Sequence, residues 1–365
     1  MSIPQPIGVA IAGFGLGYKT HLPALKTCGS MKLVAFWHPC YKHLNSVTQV
    51  LELSVYTEFK LLLNNLKIEA VIIATHSKVY FTLAKAALNA NKHVFLDRPH
   101  YLTSTEIKEL QELALEKQLK IAVNFIYRSI PLFQQLAHLI HNGVLGRPQF
   151  VKVDWLLSIH RKNYQQSDLS YNLSPDDSTI DYMGIHVFDL LHWLMGPIFL
   201  LSALNTTVTL KDQICKDYDF TKSANIVLLQ GKLQFAPDYT VPIQINLSSI
   251  LSHGRGFWIE FYGTQSALII GNENQNDFIN DFGLWMAALG QPLRRLPIDQ
   301  SLSFELRGGS YKVAATSRLQ TWWATSIRDN QPITPGLIEA YWGKVVCELA
   351  KIHYRDFYIV NNGIS

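Results

Sequence analysis

The stretch IGVAIAGFGLGYKTHLP, residues 7–23, decides the fold. Residues 7–12 form a short, unbroken apolar run, which is typical of a strand that is covered on both faces. Gly13, Gly15 and Gly17 follow at once, and a helical pattern begins after them. Glycines between a first strand and a first helix let the backbone approach a pyrophosphate, to which the helix N-terminus presents N–H groups. The stretch therefore predicts a dinucleotide-binding turn.

The match to the G-x-G-x-x-G fingerprint is incomplete, because the third glycine would fall at position 18, which is Tyr18. A lone G-x-G is also compatible with a tight turn that binds nothing. The strands that follow in the chain favour the binding turn. We expect the cofactor to contact the turn at Gly13, Phe14, Gly15 and Leu16.

Composition and charge limit the possible classes. A chain of 365 residues, 48% apolar and 16% charged, is long enough for two globular domains. The net charge is +4 and no long Lys/Arg run occurs, which argues against a nucleic-acid partner. Neither a signal peptide nor a transmembrane stretch is evident, and the four cysteines lack zinc-site or redox spacing. We expect a cytoplasmic protein without a metal or a membrane partner.

Short apolar strands alternate with helices through the first third of the chain. Further apolar runs lie at residues 32–37, 70–75, 93–96 and 120–123. One of the helices between them begins at Thr103, which forms a capping-box pattern with Glu106, and it continues through Glu116. This alternation predicts βαβ units with a parallel sheet. We assign residues 1–125 to a doubly wound Rossmann domain that binds NAD(P).

The end of the second strand bears on the choice of cofactor. An NAD-preferring site has an acidic residue there, which binds the ribose hydroxyls. This chain reads Trp37-His38-Pro39, with Lys42 and His43 just beyond. No carboxylate would repel a 2′-phosphate, so NADP is expected in preference to NAD, through His38. The alternative is that these are ordinary surface residues.

The C-terminal part, residues 126–365, has a different pattern. Strands are predicted at 149–158, 200–210, 224–229, 241–250, 256–262 and 267–270, and helices at 180–194, 311–328 and 337–354. Consecutive strands suit an α+β domain with an open, mostly antiparallel sheet. The helix at 180–194 is expected to be amphipathic, and residues 161–177 to form a loop beside a cleft. Residues 272–297 are expected to be a long surface excursion. The last helix could pack back on the first domain.

Several motifs occur in the order found in one family. They are Ala74-Thr75, KHVFLDRP at 92–99, NFIYRSIP at 124–131, NGVLGRP at 142–148, GIHVFDLLHWLMG at 184–196 and FYGTQSAL at 261–268. With the glycine turn, they make the chain resemble the Gfo/Idh/MocA oxidoreductases. The resemblance implies a Rossmann domain, a C-terminal domain with an open sheet, and substrates such as sugars and polyols. It also implies homo-oligomers that associate through that sheet.

The resemblance also implies site residues, and at two catalytic positions the chain departs from the family pattern. Arg98 stands at the position of the family's lysine, and Tyr182 at the position of its aspartate. Arginine can orient an oxygen and stabilise negative charge, but it cannot relay a proton. His186 matches the family histidine and is the expected acid or base, the alternative being a histidine that is simply packed in the core of an apolar helix. Tyr182 could donate to a substrate oxygen or simply pack.

The remaining members of the expected cofactor site follow the ends of two strands. They are Thr75 and His76 after one strand, and Asp97 and Arg98 after another. The sequence thus favours a hydride transfer between a nicotinamide and a sugar-like, polyol or hydroxy-carbonyl molecule. One alternative is a regulatory protein that binds NAD(P) without turnover. Another is a reductase of a conjugated, pigment-like substrate, which could take its proton from solvent.

Overall fold

The computed structural model describes residues 5–40, 53–75, 77–97, 101–157, 178–206, 226–251, 253–272, 279–304, 306 and 310–352. Contacts divide the chain into two compact units. Unit 1 comprises Met1–Asn142, Asp277–Leu284 and Arg295–Lys344, and unit 2 comprises Gly143–Asn276, Trp285–Arg294 and Val345–Ser365. This grouping places residues 295–344 with the N-terminal strands. The predicted domain boundary after residue 125 stays a prediction.

Sheet A of unit 1 has six parallel strands in the order β3-β2-β1-β4-β5-β6. The strands are β1 (Ile7–Ala12), β2 (Met31–Trp37), β3 (Ser54–Tyr56), β4 (Ala70–Ile73), β5 (His93–Leu96) and β6 (Ile121–Val123). This order is that of a Rossmann fold, whose ligands bind beyond the carboxyl ends of the strands. The predicted N-terminal fold is confirmed.

The helices of unit 1 lie between and after the strands of sheet A, and the first four follow the predicted alternation. They are α1 (Leu22–Thr27), α2 (Phe59–Leu63), α3 (Ser77–Asn89), α4 (Ser104–Glu116), α5 (Pro131–His141) and α7 (Tyr311–Arg328). The capping box at the start of α4 is confirmed, since Thr103 accepts from the Glu106 backbone and Glu106 accepts from the Thr103 backbone. It satisfies two N–H groups that the helix itself leaves without partners.

Helix α7 contributes to the core under sheet A although it lies about 200 residues beyond the last strand of that sheet. Trp323 is fully buried and packs edge-to-face on Phe95 of β5, with ring centroids 5.5 Å apart. Its indole N–H donates to the Lys120 carbonyl (3.3 Å). A C-terminal helix therefore covers part of the N-terminal sheet.

Sheet B has eight strands in the order β14-β13-β12-β11-β7-β10-β9-β8. The strands are β7 (Pro148–Leu156), β8 (Ile198–Thr206), β9 (Ile226–Ala236), β10 (Tyr239–Ser248), β11 (Gly256–Gly263), β12 (Ser266–Asn272), β13 (Phe282–Ala288) and β14 (Arg294–Arg295). Strands β10 and β7 pair in parallel, and the pairs β8–β9, β9–β10, β7–β11 and β11–β12 are antiparallel. The predicted mostly antiparallel sheet is confirmed.

Two local predictions in the C-terminal part are wrong. Residues 272–297 are not simply a surface excursion, because β13 and β14 lie within them. The sequence of β13, FGLWMAA, has no clear alternation of apolar and polar residues, so only sheet pairing reveals it. The segment 180–194 is not amphipathic, because its side chains are buried on nearly every side. It packs on strands β8, β9 and β10 of unit 2.

The last helix of the described chain is α8 (Leu337–Ile352). No helix among the described residues is long and apolar enough to cross a membrane. The predicted loop at 161–177 lies outside the described residues.

Candidate functional site

The glycine turn at the end of β1 depends on a residue without a side chain. Gly13 has a φ of +114°, a region that other residues rarely adopt. A Cβ atom there would lie 2.3 Å from the Ala74 carbonyl oxygen and 3.1 Å from the Thr75 nitrogen. The Gly13 N–H donates to the Trp37 carbonyl (3.0 Å). The turn thus passes tightly between the ends of β2 and β4, where only glycine fits.

Gly17 explains why the fingerprint lacks a glycine at position 18. Helical backbone begins at Gly15 and passes through a π turn, Gly17–His21, before α1. A Cβ on Gly17 would lie 2.6 Å from the Ile11 Cγ2 of β1. Close packing of helix on strand is the task of the third fingerprint glycine. Gly17 performs it one residue early, and Tyr18 instead stacks on Phe14, with centroids 5.1 Å apart.

The turn has the form of a cradle for a pyrophosphate. Phe14 is half-buried and Gly15 is exposed, while the side chain of Leu16 points into the core and is 6% exposed. The first N–H groups of a helix have no partners within the helix, and they carry its positive dipole. The residues present therefore fit the diphosphate of a dinucleotide, which would contact backbone and not the Leu16 side chain.

The end of β2 lies beside this turn. His38 is half-buried, and its backbone N–H donates to the Tyr56 carbonyl of β3 (3.1 Å). The His38 Nδ1 lies 3.0 Å from the Cys40 nitrogen. Trp37 is buried and donates through its indole N–H to the Thr57 carbonyl (3.0 Å). The predicted neighbours Lys42 and His43 lie outside the described residues.

Asp97 is held at the end of β5 by other side chains. His21 Nε2 lies 2.8 Å from the Asp97 Oδ1, and Asn124 Nδ2 donates to the same oxygen (2.9 Å). The Asp97 backbone N–H donates to the Ile73 carbonyl of β4 (3.1 Å). Thr75, after β4, is half-buried. The structure thus brings Asp97 and Thr75 to the same edge of sheet A as the glycine turn.

The sequence did not reveal the partners of Asp97. His21 is fully buried, and its Nδ1 lies 3.2 Å from Nε2 of the buried Gln320 on α7. In the sequence, a histidine near a proline at the start of a helix does not indicate a contact with Asp97. Gln320 lies 299 residues away from His21, so its contact with His21 cannot be predicted from local sequence. Two predicted site residues, His76 and Arg98, lie outside the described residues.

The other predicted catalytic residues belong to unit 2. A second π turn, Ile180–Gly184, contains Tyr182, which is 7% exposed. His186, at the start of α6 (Ile185–Met195), is half-buried between fully buried neighbours. Positions 186 and 189, three apart on α6, share a face of the helix. Asp189 is 2% exposed.

Two charged residues near the motifs have structural partners. Asp181, one residue from the family's aspartate position, accepts from the Ser178 hydroxyl (2.6 Å) and forms an ion pair with Lys351 of α8. Arg128 is buried, with its guanidinium 3.9 Å from the Glu339 carboxylate. These pairings favour structural roles for both residues. The described residues contain no group of three or more His, Cys, Asp or Glu side chains that could hold a metal.

Comparison with family models matches both parts of the chain. A model described as an oxidoreductase family with an NAD-binding Rossmann fold matches residues 7–125. A model described as the GFO/IDH/MocA C-terminal domain matches residues 133–269. The first match contains the glycine turn and Asp97, and the second contains His186.

Known relatives extend this similarity. The chain is 30% identical over 352 residues to the uncharacterized oxidoreductase sll0816 of Synechocystis sp., covering 95% of this chain and 94% of that protein. It is 27% identical over 186 residues to inositol 2-dehydrogenase of Salmonella typhimurium, covering 49% and 52%. Among solved structures, an inositol dehydrogenase homologue from Azotobacter vinelandii, complexed with NAD⁺, has a TM-score of 0.78 at 19% identity, with 97% of each chain covered.

Proposed function

The chain belongs to the NAD-binding GFO/IDH/MocA oxidoreductase family, and we propose that it transfers a hydride between NAD(P) and a sugar-like, polyol or hydroxy-carbonyl molecule. The observation that carries the proposal is the cradle at Gly13 and Gly17, where a Cβ would collide with the Ala74 carbonyl just after β4 and with Ile11 of β1 respectively. The similarity to inositol 2-dehydrogenase supports a polyol or sugar-like substrate. When bound, the nicotinamide supplies or accepts the hydride.

We assign the remaining chemistry to three side chains. His186 takes the proton from the substrate hydroxyl or returns it to a carbonyl. Arg98 orients the reacting oxygen and stabilises the negative charge that develops on it. Tyr182 donates a hydrogen bond to a substrate oxygen. Because arginine keeps its proton, the exchange of protons falls to His186 alone.

We propose that NADP is preferred to NAD. The support comes from the end of β2, where Trp37-His38-Pro39 offers no carboxylate to repel a 2′-phosphate. His38 directly follows Trp37, the last residue of β2, and the Trp37 carbonyl accepts from the Gly13 N–H. This places a group that can become cationic beside the glycine turn.

Titration of the protein with NADPH and with NADH, followed by nicotinamide fluorescence, tests the cofactor assignment. We expect tight NADPH binding and weaker NADH binding. Gly13→Ala should weaken binding by about tenfold or more, because its Cβ would strike the Ala74 carbonyl. Gly29→Ala is the matched control, since nothing lies within 4 Å of a Cβ at that position. Preference for NADH would contradict only the role proposed for His38 and would leave the rest of the cofactor assignment intact.

Turnover is then measured as the oxidation of NADPH, or the reduction of NADP, with a panel of sugars, polyols and hydroxy-aldehydes. The altered motif residues Arg98 and Tyr182 favour one second candidate, a protein that binds NAD(P) for regulation without turnover. That candidate predicts cofactor binding with no activity on any panel member. Failure to bind either cofactor would contradict both candidates.

We also propose that the protein forms homo-oligomers through the open face of sheet B. Alternate residues of β11 are fully buried on the inner face, whereas Trp258 and Tyr262 lie on the other face. That outer face also carries Leu204 and Leu228, which pair across β8 and β9 and are both about two-fifths exposed. Polar residues of β7 and β10, Asp154 and Asn246, separate this leucine pair from Trp258, and exposed apolar residues on a sheet face are typical of protein interfaces.

A further inference from the structure

We propose that His21 and Gln320 are positioning residues, which hold the Asp97 carboxylate at the cofactor-binding edge of sheet A and so set the affinity for the nicotinamide cofactor. The inference rests on the proposed function in one respect, namely that Asp97 belongs to the cofactor site. It assigns a role to His21, whose side chain had none in the opening stretch, and to Gln320, which lies outside the recognised motifs.

The four side chains involved form one continuous network within unit 1. His21 Nε2 lies 2.8 Å from Asp97 Oδ1, and Asn124 Nδ2 lies 2.9 Å from the same oxygen. Gln320 Nε2 lies 3.2 Å from His21 Nδ1. An ionised carboxylate only accepts hydrogen bonds, so Nε2 of His21 must carry the proton that points at Asp97. Asp97 therefore accepts from two fixed donors.

Gln320 is the hydrogen-bond partner of the other ring nitrogen of His21. In the neutral imidazole, Nδ1 is an acceptor and receives the Gln320 amide N–H. In the imidazolium, a turn of the Gln320 amide would present its oxygen to Nδ1–H instead. In either state the Nε2–H of His21 continues to point at Asp97. The amide thus defines the orientation of the ring, as the outer hydrogen bond does for many functional histidines.

The side chains of this network are buried, so the loss of one of its hydrogen bonds costs free energy. His21 and Gln320 are both fully buried, and Asp97 is 9% exposed. Buried polar groups are costly unless they are hydrogen-bonded, and a buried carboxylate that loses a donor is more costly still. An apolar core would satisfy packing here without these polar groups. Replacing His21 or Gln320 should therefore disturb the direction of the Asp97 carboxylate.

The π turn explains how His21 reaches Asp97. It begins at Gly17, which packs on β1, and it ends at His21, whose ring also packs edge-to-face on Phe95 (centroids 5.5 Å apart). A π turn contains one more residue than an α turn, and such turns are frequent at functional sites. The same irregularity therefore fits the glycine against the strand and connects the glycine turn to the end of β5.

Two substitutions of His21 separate a positioning role from a structural one. His21→Gln places an amide N–H where Nε2 lies and can still donate to Asp97. His21→Asn can accept from Gln320 but is too short to reach Asp97. We expect the dissociation constant for NADPH to rise less than about threefold in His21→Gln and about tenfold or more in His21→Asn. Thermal unfolding midpoints of both variants are measured alongside.

A double-mutant cycle tests whether His21 acts through Asp97. If it does, His21→Asn adds little to the loss of NADPH affinity that Asp97→Asn causes on its own. Gln320→Met, which retains the volume of the side chain, should raise the NADPH dissociation constant by about threefold. Equal losses in His21→Gln and His21→Asn, or additive losses in the cycle, would overturn the inference. Failure of the proposed function looks different, because the unmodified protein would then bind neither NADPH nor NADH.

Discussion

At the scale of the residue, His186 and Asp97 illustrate two ways in which a motif side chain is held. His186 is half-buried at the start of a helix whose other side chains are almost all buried. Asp97 is nine-tenths buried and accepts from His21 and Asn124. A group that exchanges protons needs access, whereas a group that orients a ligand benefits from fixed neighbours.

Replacement of His186 tests the catalytic assignment. We expect His186→Ala to lower kcat by about 10²- to 10³-fold, because the proton acceptor is lost, while NADPH affinity stays unchanged. His192→Ala is the matched control, since His192 is also half-buried on α6 but lies on a different face. A similar loss of kcat in both variants would indicate a disturbed helix and contradict the assignment.

His93, at the start of β5, makes the stability depend on pH. Burial lowers the pKa of His93 to about 4, an effect that the Lys120 charge strengthens and the Glu69 charge opposes. Its Nδ1 also accepts from the Lys120 backbone N–H (3.0 Å), which requires that nitrogen to be unprotonated. Because the unfolded-state pKa is near 6.5, the unfolded state binds the proton first as the pH falls.

The contribution of His93 to the free energy of unfolding should therefore be greatest above about pH 6.5. It should decrease between pH 6.5 and pH 4, with no further loss from this group below pH 4. We expect a loss of about 2 kcal/mol from this group, a value reduced because the ring is partly exposed. Urea unfolding at a series of pH values measures it. In His93→Asn the amide oxygen can replace Nδ1 without titrating, so the loss should shrink. An unchanged pH dependence in that variant would disprove the prediction.

At the scale of the element, two irregular helical turns position side chains that we assign to the site. Both described π turns, Gly17–His21 and Ile180–Gly184, lie within motifs assigned to the site. The first combines a glycine that fits against β1 with a histidine that bonds to Asp97. The second carries Tyr182 and leads into His186. Local sequence patterns predict that helices occur there, but not the extra residue in the turn.

The capping box at the start of α4 provides a test of how much a helix cap stabilises the protein. Thr103→Ala removes the side chain that caps α4 and should lower the free energy of unfolding by about 1 kcal/mol. Ser310→Ala is the matched control, because Ser310 occupies the same position before α7 but makes no side-chain cap. We expect that variant to change stability by less than about 0.5 kcal/mol. Urea unfolding compares the two, and equal losses would refute the role of the capping box.

At the scale of the whole molecule, the two units differ in what their sheets leave uncovered. Sheet A is parallel, and its strands are apolar and largely buried, as sheets covered on both faces are. Sheet B leaves one face with half-exposed aromatic and leucine side chains. Arg255, just before β11, forms an ion pair with Glu260 of that strand (2.7 Å), and the Arg255 guanidinium lies over the Trp258 ring.

The oligomer proposal is tested on that face. Leu228→Glu places a charge among the apolar residues of β8 and β9, and we expect it to shift the molar mass measured by light scattering towards the monomer. Leu66→Glu, at a leucine that is 92% exposed in unit 1, is the control and should leave the mass unchanged. A monomeric unmodified protein, or an unchanged mass in Leu228→Glu, would contradict the proposal.

The sequence by itself determined five of the six strands of sheet A, all but β3, together with the tight turn at Gly13 and the capping box at Thr103. Each of these depends on residues that are close together in the chain, so periodicity and turn chemistry reveal them. Tertiary structure alone decided the role of Gly17, the strand β13 and the partners of Asp97. These depend on contacts between distant segments: His21 lies 76 residues from Asp97 and 299 residues from Gln320. No local pattern encodes such a contact, because it arises only when the sheet and α7 pack together.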